Sequence, residues 1–401
     1  MSDITLIFPS SDFLLNQTMF PPLGILYLAA YLKEKGLNVQ CLDMALGHTL
    51  DMVESDIVGI SLTTPQRESA FKIARELKQQ GKLLIAGGPH PTHMEQECLN
   101  AGFDYVIKGY GEHKLYNILI KELCLFKSDE TEPNATDLPY PDRDALPILK
   151  YEQYIDGRQS TPILTARGCN NSCSFCSKIS RKLKLQSAER TINEMHHVAE
   201  KYGFSAFTIY DDSFTISKKR LTKIVEGIKN DDFRFRCFCR SDLLSDEVCE
   251  LLAKMGMDTV GIGIESGSDD ILKMNMKRST KDNNTQAIKR LHKHGIKSKA
   301  FLIAGLPGET HKTISETIEW IEEASPDDIT MSVFQPLPGS HIFNNPKKWN
   351  IDFSYNGQPL WYRGKPDEYV SNVRTDELST QQIVAYRDFI EKKYKPQELL
   401  K

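Results

Sequence analysis

Ile163-Leu-Thr165-Ala-Arg-Gly-Cys169-Asn-Asn-Ser-Cys173-Ser-Phe175-Cys176 opens as a short apolar strand and passes through a glycine into a loop with three cysteines in eight residues. Three thiolates this close can wrap one soft metal centre. A cubane of four irons held by them keeps one iron without a protein ligand, which is an open coordination site. The residues alone also allow a zinc ion held by these three and a distant Cys or His, or three unligated thiols. Zinc loops favour two separate knuckles of paired short spacings, and the sequence has no second knuckle.

Outward from this stretch, strands alternate with amphipathic helices to about Leu337. Six strands are expected: Ile163 to Ala166, Ala206 to Tyr210, Arg234 to Phe238, Thr259 to Ile264, Lys299 to Ile303 and Ile329 to Phe334. Six such units make a partial or full α/β barrel, in which function sits at the strand C-termini. Cys237 and Cys239 lie two apart on one strand and so share a face, which is expected to pack on the outer helices.

On the N-terminal side, five further apolar runs alternate with helices: Ile4 to Phe8, Val39 to Leu42, Ile57 to Leu62, Leu83 to Ala86 and Tyr105 to Ile107. This rhythm predicts a flavodoxin-like doubly wound parallel sheet, with ligands at the carboxyl ends of its strands. Thr63, Gly87-Gly88-Pro-His90 and Gly109-Tyr-Gly111-Glu112 fall at those ends. Pro133, Pro139, Pro141 and Pro147, set among acidic residues, mark a linker. The expected fold class is therefore α/β. A flavodoxin-like (Rossmann-like) domain spans 1–126, a linker 127–158 and a partial (β/α)6 barrel 159–338. An α-rich extension, 339–401, ends in a helix from Thr380 to Tyr394. Trp361, Tyr362, Arg363 and Tyr369 are read as packing this tail onto the barrel.

Composition fits that picture. A chain of 401 residues is long enough for two or three domains. Fifty Lys and Arg against fifty-four Asp and Glu give a net charge of −4, which argues against a general nucleic-acid or membrane-surface binder. The apolar stretch Phe20 to Leu32 holds two prolines and is too short to span a membrane. No Lys or Arg precedes Lys33, so the basic region of a secretory signal is missing and the expected compartment is the cytosol. Nine unevenly spaced cysteines do not form a disulfide framework.

The CX3CX2C loop of Cys169, Cys173 and Cys176, with Phe175 before the last cysteine, resembles that of the radical SAM superfamily. The resemblance continues through Tyr210-Asp211-Asp212-Ser-Phe-Thr215, Arg240-Ser-Asp242, Gly261-Ile-Gly263-Ile-Glu265-Ser266-Gly267, Gly305-Leu306-Pro-Gly308-Glu309-Thr310 and Pro336-Leu-Pro-Gly-Ser340. With its N-terminal domain the chain looks like the subgroup that carries a cobalamin-binding domain ahead of the barrel. The resemblance implies a 4Fe-4S cluster on the three cysteines and S-adenosylmethionine on its open iron. Reductive cleavage there would give methionine and a 5′-deoxyadenosyl radical. It further implies Asp211 or Asp212 for the ammonium of S-adenosylmethionine, Arg240 for its carboxylate, and Glu265 with Ser266 for the ribose. Phe175 and the backbone near Leu306 would flank the adenine. Plainer roles compete: helix capping by either aspartate, an Arg240–Asp242 pair, and a buried ion pair for Glu265.

Cobalamin is the third implied cofactor. The lower-axial histidine of such domains belongs to an Asp-x-His-x-x-Gly segment, and Asp43-Met-Ala45-Leu-Gly-His48 has alanine at that position. Gly24, Thr63, Gly87, Gly88, His90, Gly111 and Glu112 are the candidate cobalamin contacts, against the alternative that their loops merely turn the chain. The functional expectation is radical chemistry on a C–H bond of a small-molecule substrate, with methylation through cobalamin as one form. A cobalamin-free radical SAM enzyme acting on a sugar-like or other small substrate is the alternative, and a non-enzymatic iron–sulfur protein a further one. The expected partners are the substrate and an electron donor, either a reductase or a flavodoxin or ferredoxin. No membrane and no nucleic acid are expected.

Overall fold

The N-terminal apolar runs form β1 (Ile4–Phe8), β2 (Val39–Asp43), β3 (Ile57–Ser61), β4 (Leu83–Gly87) and β5 (Tyr105–Val106). All pair in parallel, in the order β2-β1-β3-β4-β5, which is the flavodoxin-like arrangement. Helices on both faces bury these strands, so their sequences are continuously apolar rather than alternating. The helices are α1 (Leu23–Glu34), α2 (Arg67–Gln79), α3 (Pro89–His93), α4 (Glu95–Asn100) and α5 (Glu112–Glu122). One core joins Ile7, Val58, Ile60 and Leu84 of the sheet to Ala70, Ala74 and Leu77 of α2.

This computed structural model describes residues 2–11, 14–124, 137–353 and 368–396. It divides into one unit of Met1–Gln153 with Ser177–Lys184 and a second of Tyr154–Cys176 with Leu185–Lys401. Pro133 of the expected linker, and Trp361, Tyr362 and Arg363 of the tail, lie outside the described residues. Residues 137–153 cluster with the first unit.

The second unit is built on β6 (Tyr154–Ile155), β7 (Arg158–Ile163), β8 (Ala166–Arg167), β9 (Lys184–Leu185), β10 (Ala206–Ile209), β11 (Arg234–Cys239), β12 (Met257–Glu265), β13 (Lys297–Ala304) and β14 (Asp328–Val333). Seven of these form one sheet, ordered β14-β13-β12-β11-β10-β7-β6. Six run parallel, β6 is antiparallel at the edge, and β14 pairs only with β13, so the barrel is partial. The first barrel strand is thus Arg158–Ile163, not the expected Ile163 to Ala166. Its hairpin with β6 turns on Asp156 and Gly157, whose φ values of 49° and 72° suit a two-residue Asp-Gly turn. After Ile163 the chain leaves the sheet because Asp211 captures the amides of Thr165 and Ala166.

The connecting helices are α6 (Ala188–Tyr202), α7 (Lys218–Gly227), α8 (Asp246–Lys254), α9 (Asp269–Met274), α10 (Lys281–Lys293) and α11 (His311–Ala324), with α12 (His341–Asn344) and α13 (Thr380–Tyr394) in the tail. Ser187, Ser217, Ser245, Thr280, Thr310 and Ser379 cap α6, α7, α8, α10, α11 and α13 by accepting an amide of the first turn. Each such cap contributes about 1 kcal/mol. Along β11, β13 and β14 burial alternates, so one face meets the helices and the other lines the barrel interior. Cys237 and Cys239 share the buried face, as expected, with their Sγ atoms 3.6 Å apart. In the tail, the Arg387 guanidinium stacks 3.6 Å from the Tyr369 ring centroid. Among the described residues no helix is long and apolar enough to cross a membrane.

Candidate active site

Asp211 follows β10 and is fully buried. Its Oδ1 accepts from the amides of Thr165 (2.6 Å) and Ala166 (2.9 Å), and its Oδ2 from the Thr165 hydroxyl at 2.5 Å. Arg220 of α7 donates to the Thr165 carbonyl at 3.1 Å and to the same hydroxyl. Burial pushes the Asp211 carboxyl up to about 6, against the pull of the Thr165 hydrogen bonds and the Arg220 charge. Both oxygens thus hold the root of the cysteine loop, and Asp211 is its anchor. Asp212 beside it is exposed.

Beyond that root, Cys169 and Cys173 are buried and Cys176 is half-buried; none is in a disulfide. The Cys176 amide donates to the Cys173 carbonyl at 3.3 Å, and Asn171 Nδ2 reaches Cys169 Sγ at 3.5 Å. Ser174 pins the loop: its amide donates to the Asn275 carbonyl, and its hydroxyl to Asn275 Oδ1, each at 3.1 Å. Asn275 Nδ2 in turn donates to Pro307 O at 3.1 Å, linking the cysteine loop to the turn after β13. Among the described residues no three His, Cys, Asp or Glu side chains already converge on a common metal position. The donor set itself, three thiols on one short loop with no carboxylate or imidazole added, suits an iron–sulfur cluster and is one ligand short of a structural zinc site.

Around the strand ends stands a polar constellation. Arg240 is buried, with Nε and Nη2 on the Asp242 carboxylate (2.9 and 3.1 Å) and Nη2 also on the carbonyls of Lys277 (3.1 Å) and Arg278 (3.2 Å). Glu265, at the end of β12, meets Lys277 Nζ at 2.6 Å, and both are largely buried. Gly263 makes room for that pair: a Cβ there would lie 2.5 Å from Glu265 Oε1 and 2.8 Å from Lys277 Nζ. The backbone holds Glu265, Met276 and Arg278 at φ of 66°, 53° and 57°, a left-handed conformation that costs non-glycine residues about 1 kcal/mol or more each. Strain of this kind concentrates where geometry serves function.

Ser266 is fully buried; its hydroxyl accepts from the Ser268 amide and lies 3.3 Å from Thr317 Oγ1 of α11. It closes a turn onto the helix layer. Phe175 and Leu306 are brought together in one apolar cluster with Ile271, Phe334 and Ile342. The turn carrying Leu306 is closed by Glu309, fully buried, whose Oε2 accepts from the Gly305 amide and whose Oε1 has no partner among the described residues.

In the first unit the expected loops divide. Gly87 ends β4 where an added Cβ would meet nothing within 4 Å, and Gly24 on α1 is equally open. Gly88 is different: φ is 102° and a Cβ would sit 2.9 Å from the Leu62 carbonyl, so the backbone itself demands glycine there. Gly111 is close-packed, with Leu28 Cδ2 at 3.2 Å from an added Cβ. His90 is fully buried, its Nδ1 3.2 Å from Thr64 Oγ1 and its Nε2 3.5 Å from Glu97 Oε2. Glu112 is buried in the first turn of α5. Thr63 bonds Gln66 Oε1 at 2.8 Å and caps the turn after β3. Ala45 does donate its amide to Asp43, and His48 Nδ1 accepts the Asp43 amide at 2.9 Å, so that histidine is folded back on its own loop.

Residues 163–321 match the model of the radical SAM superfamily, and residues 17–119 match that of the B12 binding domain. The chain carries a radical SAM domain and a B12-binding domain. It is an enzyme with the cofactors of the radical SAM domain, a 4Fe-4S cluster and S-adenosylmethionine, and with cobalamin the ligand type of its first domain. An uncharacterized methyltransferase of Pyrococcus horikoshii is 28% identical over 380 residues, covering 85% of this chain and 82% of the relative. Bacteriochlorophyllide d C-12(1)-methyltransferase of Chlorobaculum tepidum is 27% identical over 339 residues, covering 81% and 74%. In fold, the chain is similar to the radical S-adenosylmethionine methyltransferase TsrM of Kitasatospora setae, with a TM-score of 0.76, 16% identity and coverage of 99% and 94%. In this radical SAM chain the sequence reading missed Ser174, Asn275 and Lys277. Only Lys277 left a trace, the second glycine of Gly261-Ile-Gly263, since glycine inside a strand signals a close approach.

Proposed function

We propose that this radical SAM enzyme methylates a carbon of a small-molecule substrate, with cobalamin in its first domain as the methyl carrier. The observation that carries this reading is the pairing, in one chain, of a B12-binding match with a radical SAM match whose cysteine loop is pinned at a barrel strand end. Cys169, Cys173 and Cys176 would hold the cluster, and Gly87, Gly24 and Thr63 would face the cobalamin. When bound, the cluster supplies the electron that cleaves the sulfonium, and cobalamin supplies a methyl group.

The chain's own residues do the positioning. Asp211 and Ser174 fix the loop at its root and its middle. Phe175 and Leu306 offer an apolar face to an adenine. Glu265 accepts from Lys277 and keeps acceptor capacity for ribose hydroxyls, while Arg240 braces the Lys277 segment through its carbonyls. The enzyme would work with a flavodoxin, ferredoxin or reductase as electron donor. A reducing cytosol suits cysteines that form no disulfide among the described residues.

The first domain is tested by loading the purified protein with hydroxocobalamin, removing the excess and measuring retained cobalt. Near-stoichiometric cobalt in the wild type, lost in Gly87→Phe while iron is unchanged, is expected. Equal and negligible cobalt in both proteins would favour the cobalamin-free alternative.

A further inference from the structure

The barrel interior carries a feature the cofactor site does not use. On β11 and β13 the face turned away from the helices bears Phe238 and Phe301, each half-buried, and Tyr210 follows β10 with 48% of its surface exposed. Their rings form a row: Tyr210 and Phe238 meet edge-on with centroids 6.0 Å apart, and Phe238 and Phe301 at 5.9 Å and a 41° tilt. β12 yields to this row. Gly261 pairs in register with Phe238, and a Cβ on it would lie 2.7 Å from Phe301 Cε2 and 3.0 Å from Phe238 Cδ1. Two residues further along the same strand, on the same face, Gly263 yields to the Glu265–Lys277 pair. The rings therefore lie one layer, about 7 Å, beneath the polar constellation.

Apolar rings are normally buried, and a contiguous partly exposed patch of them marks a binding surface. This one lies inside the barrel, one layer below the strand ends at which such folds bind their ligands. The three rings bring π-faces and a single phenol; the charged groups beside them, Lys299 with its Nζ 5.9 Å from the Phe301 centroid and Asp328 on the next strand, are already paired with each other rather than held open for the hydroxyls of a polyol. We propose that Tyr210, Phe238 and Phe301 are the substrate wall of this enzyme, and that it takes a planar apolar or aromatic ring system rather than a sugar. The proposal rests on the functional reading above and deepens it by naming the substrate class.

Two probes test it on the reconstituted holoenzyme by titration calorimetry: indole as the planar aromatic and myo-inositol as the polyol. Saturable indole binding is expected, weakened about tenfold in Phe301→Ala and in Tyr210→Ala, as loss of one ring contact implies. No saturation by inositol is expected. Tyr210→Ala alters an exposed side chain and keeps the test decisive should Phe301→Ala not fold. Saturable inositol binding, or indole affinity unchanged in the folded variants, would overturn the wall. The binding arms decide the wall whether or not S-adenosylmethionine is cleaved. Failure of the same wild-type sample to release 5′-deoxyadenosine under dithionite would count against the functional reading alone.

Discussion

Lys277 and Glu265 form an ion pair whose charged ends occupy the space beside Gly263, held between residues in strained conformations. Breaking one partner of a largely buried pair leaves an uncompensated charge, so Lys277→Met should destabilise the protein by about 3 kcal/mol. The double variant Glu265→Gln, Lys277→Met should recover most of that loss in denaturant unfolding, while a full additive loss would mean the two side chains act independently. Glu309 gives a pH signature at the same scale. Burial pushes its carboxyl up to about 8, opposed by the hydrogen bond from Gly305. A carboxyl raised in the folded state stabilises fully at pH below its unfolded value, and that contribution is lost as pH rises through about 8. The melting temperature of the wild type should therefore fall more between about pH 6 and about pH 9 than that of Glu309→Gln. Parallel pH profiles would show that Glu309 is already ionised.

At the scale of elements, the cysteine loop owes its shape to its neighbours, and Asp211 is the main tie. Asp211→Ala would leave two buried amides and a hydroxyl without acceptors, at a cost of about 2 kcal/mol or more. It should reduce the iron retained after anaerobic reconstitution, whereas Asp212→Ala, altering an exposed side chain, should not. Equal retention in the two variants would remove Asp211 from that role. The adjacent aspartates illustrate what a sequence carries. Strand-end position and residue type were legible, as were the three cysteines, the five-strand order and α13 to the residue. Which carboxylate turns inward was not, because that depends on where the Thr165 and Ala166 amides lie, some 46 residues away in sequence. Lys277 and Asn275 escaped for the same reason: nothing in their own segment tells of Glu265, Ser174 or Pro307. The shift of the first barrel strand has a local cause, since the Asp156-Gly157 hairpin signal lay in a stretch read as linker.

The whole molecule joins two α/β units whose strand ends carry different loops: open glycines in the B12-binding domain, and thiols with a strained ion pair in the radical SAM domain. Either set alone would be compatible with simpler chemistry. A flavodoxin-like sheet serves many ligands, and three cysteines on a loop can hold several metals. Together with the family matches they place the hard step on the cofactors and leave to the protein the work of binding, orientation and electrostatics. The backbone itself demands glycine at position 88, whereas a side chain added at position 87 meets nothing, which is why a substitution at Gly87, and not at Gly88, is the informative probe of cobalamin.

The central claim is that Cys169, Cys173 and Cys176 hold a cluster that cleaves S-adenosylmethionine reductively. The protein should be reconstituted anaerobically with iron and sulfide, given dithionite and S-adenosylmethionine, and the nucleoside products quantified by chromatography. The account predicts about four irons per chain and release of 5′-deoxyadenosine, both abolished when the three cysteines are changed to alanine. A colourless protein containing zinc, or 5′-deoxyadenosine formed equally by the alanine variant, would contradict it.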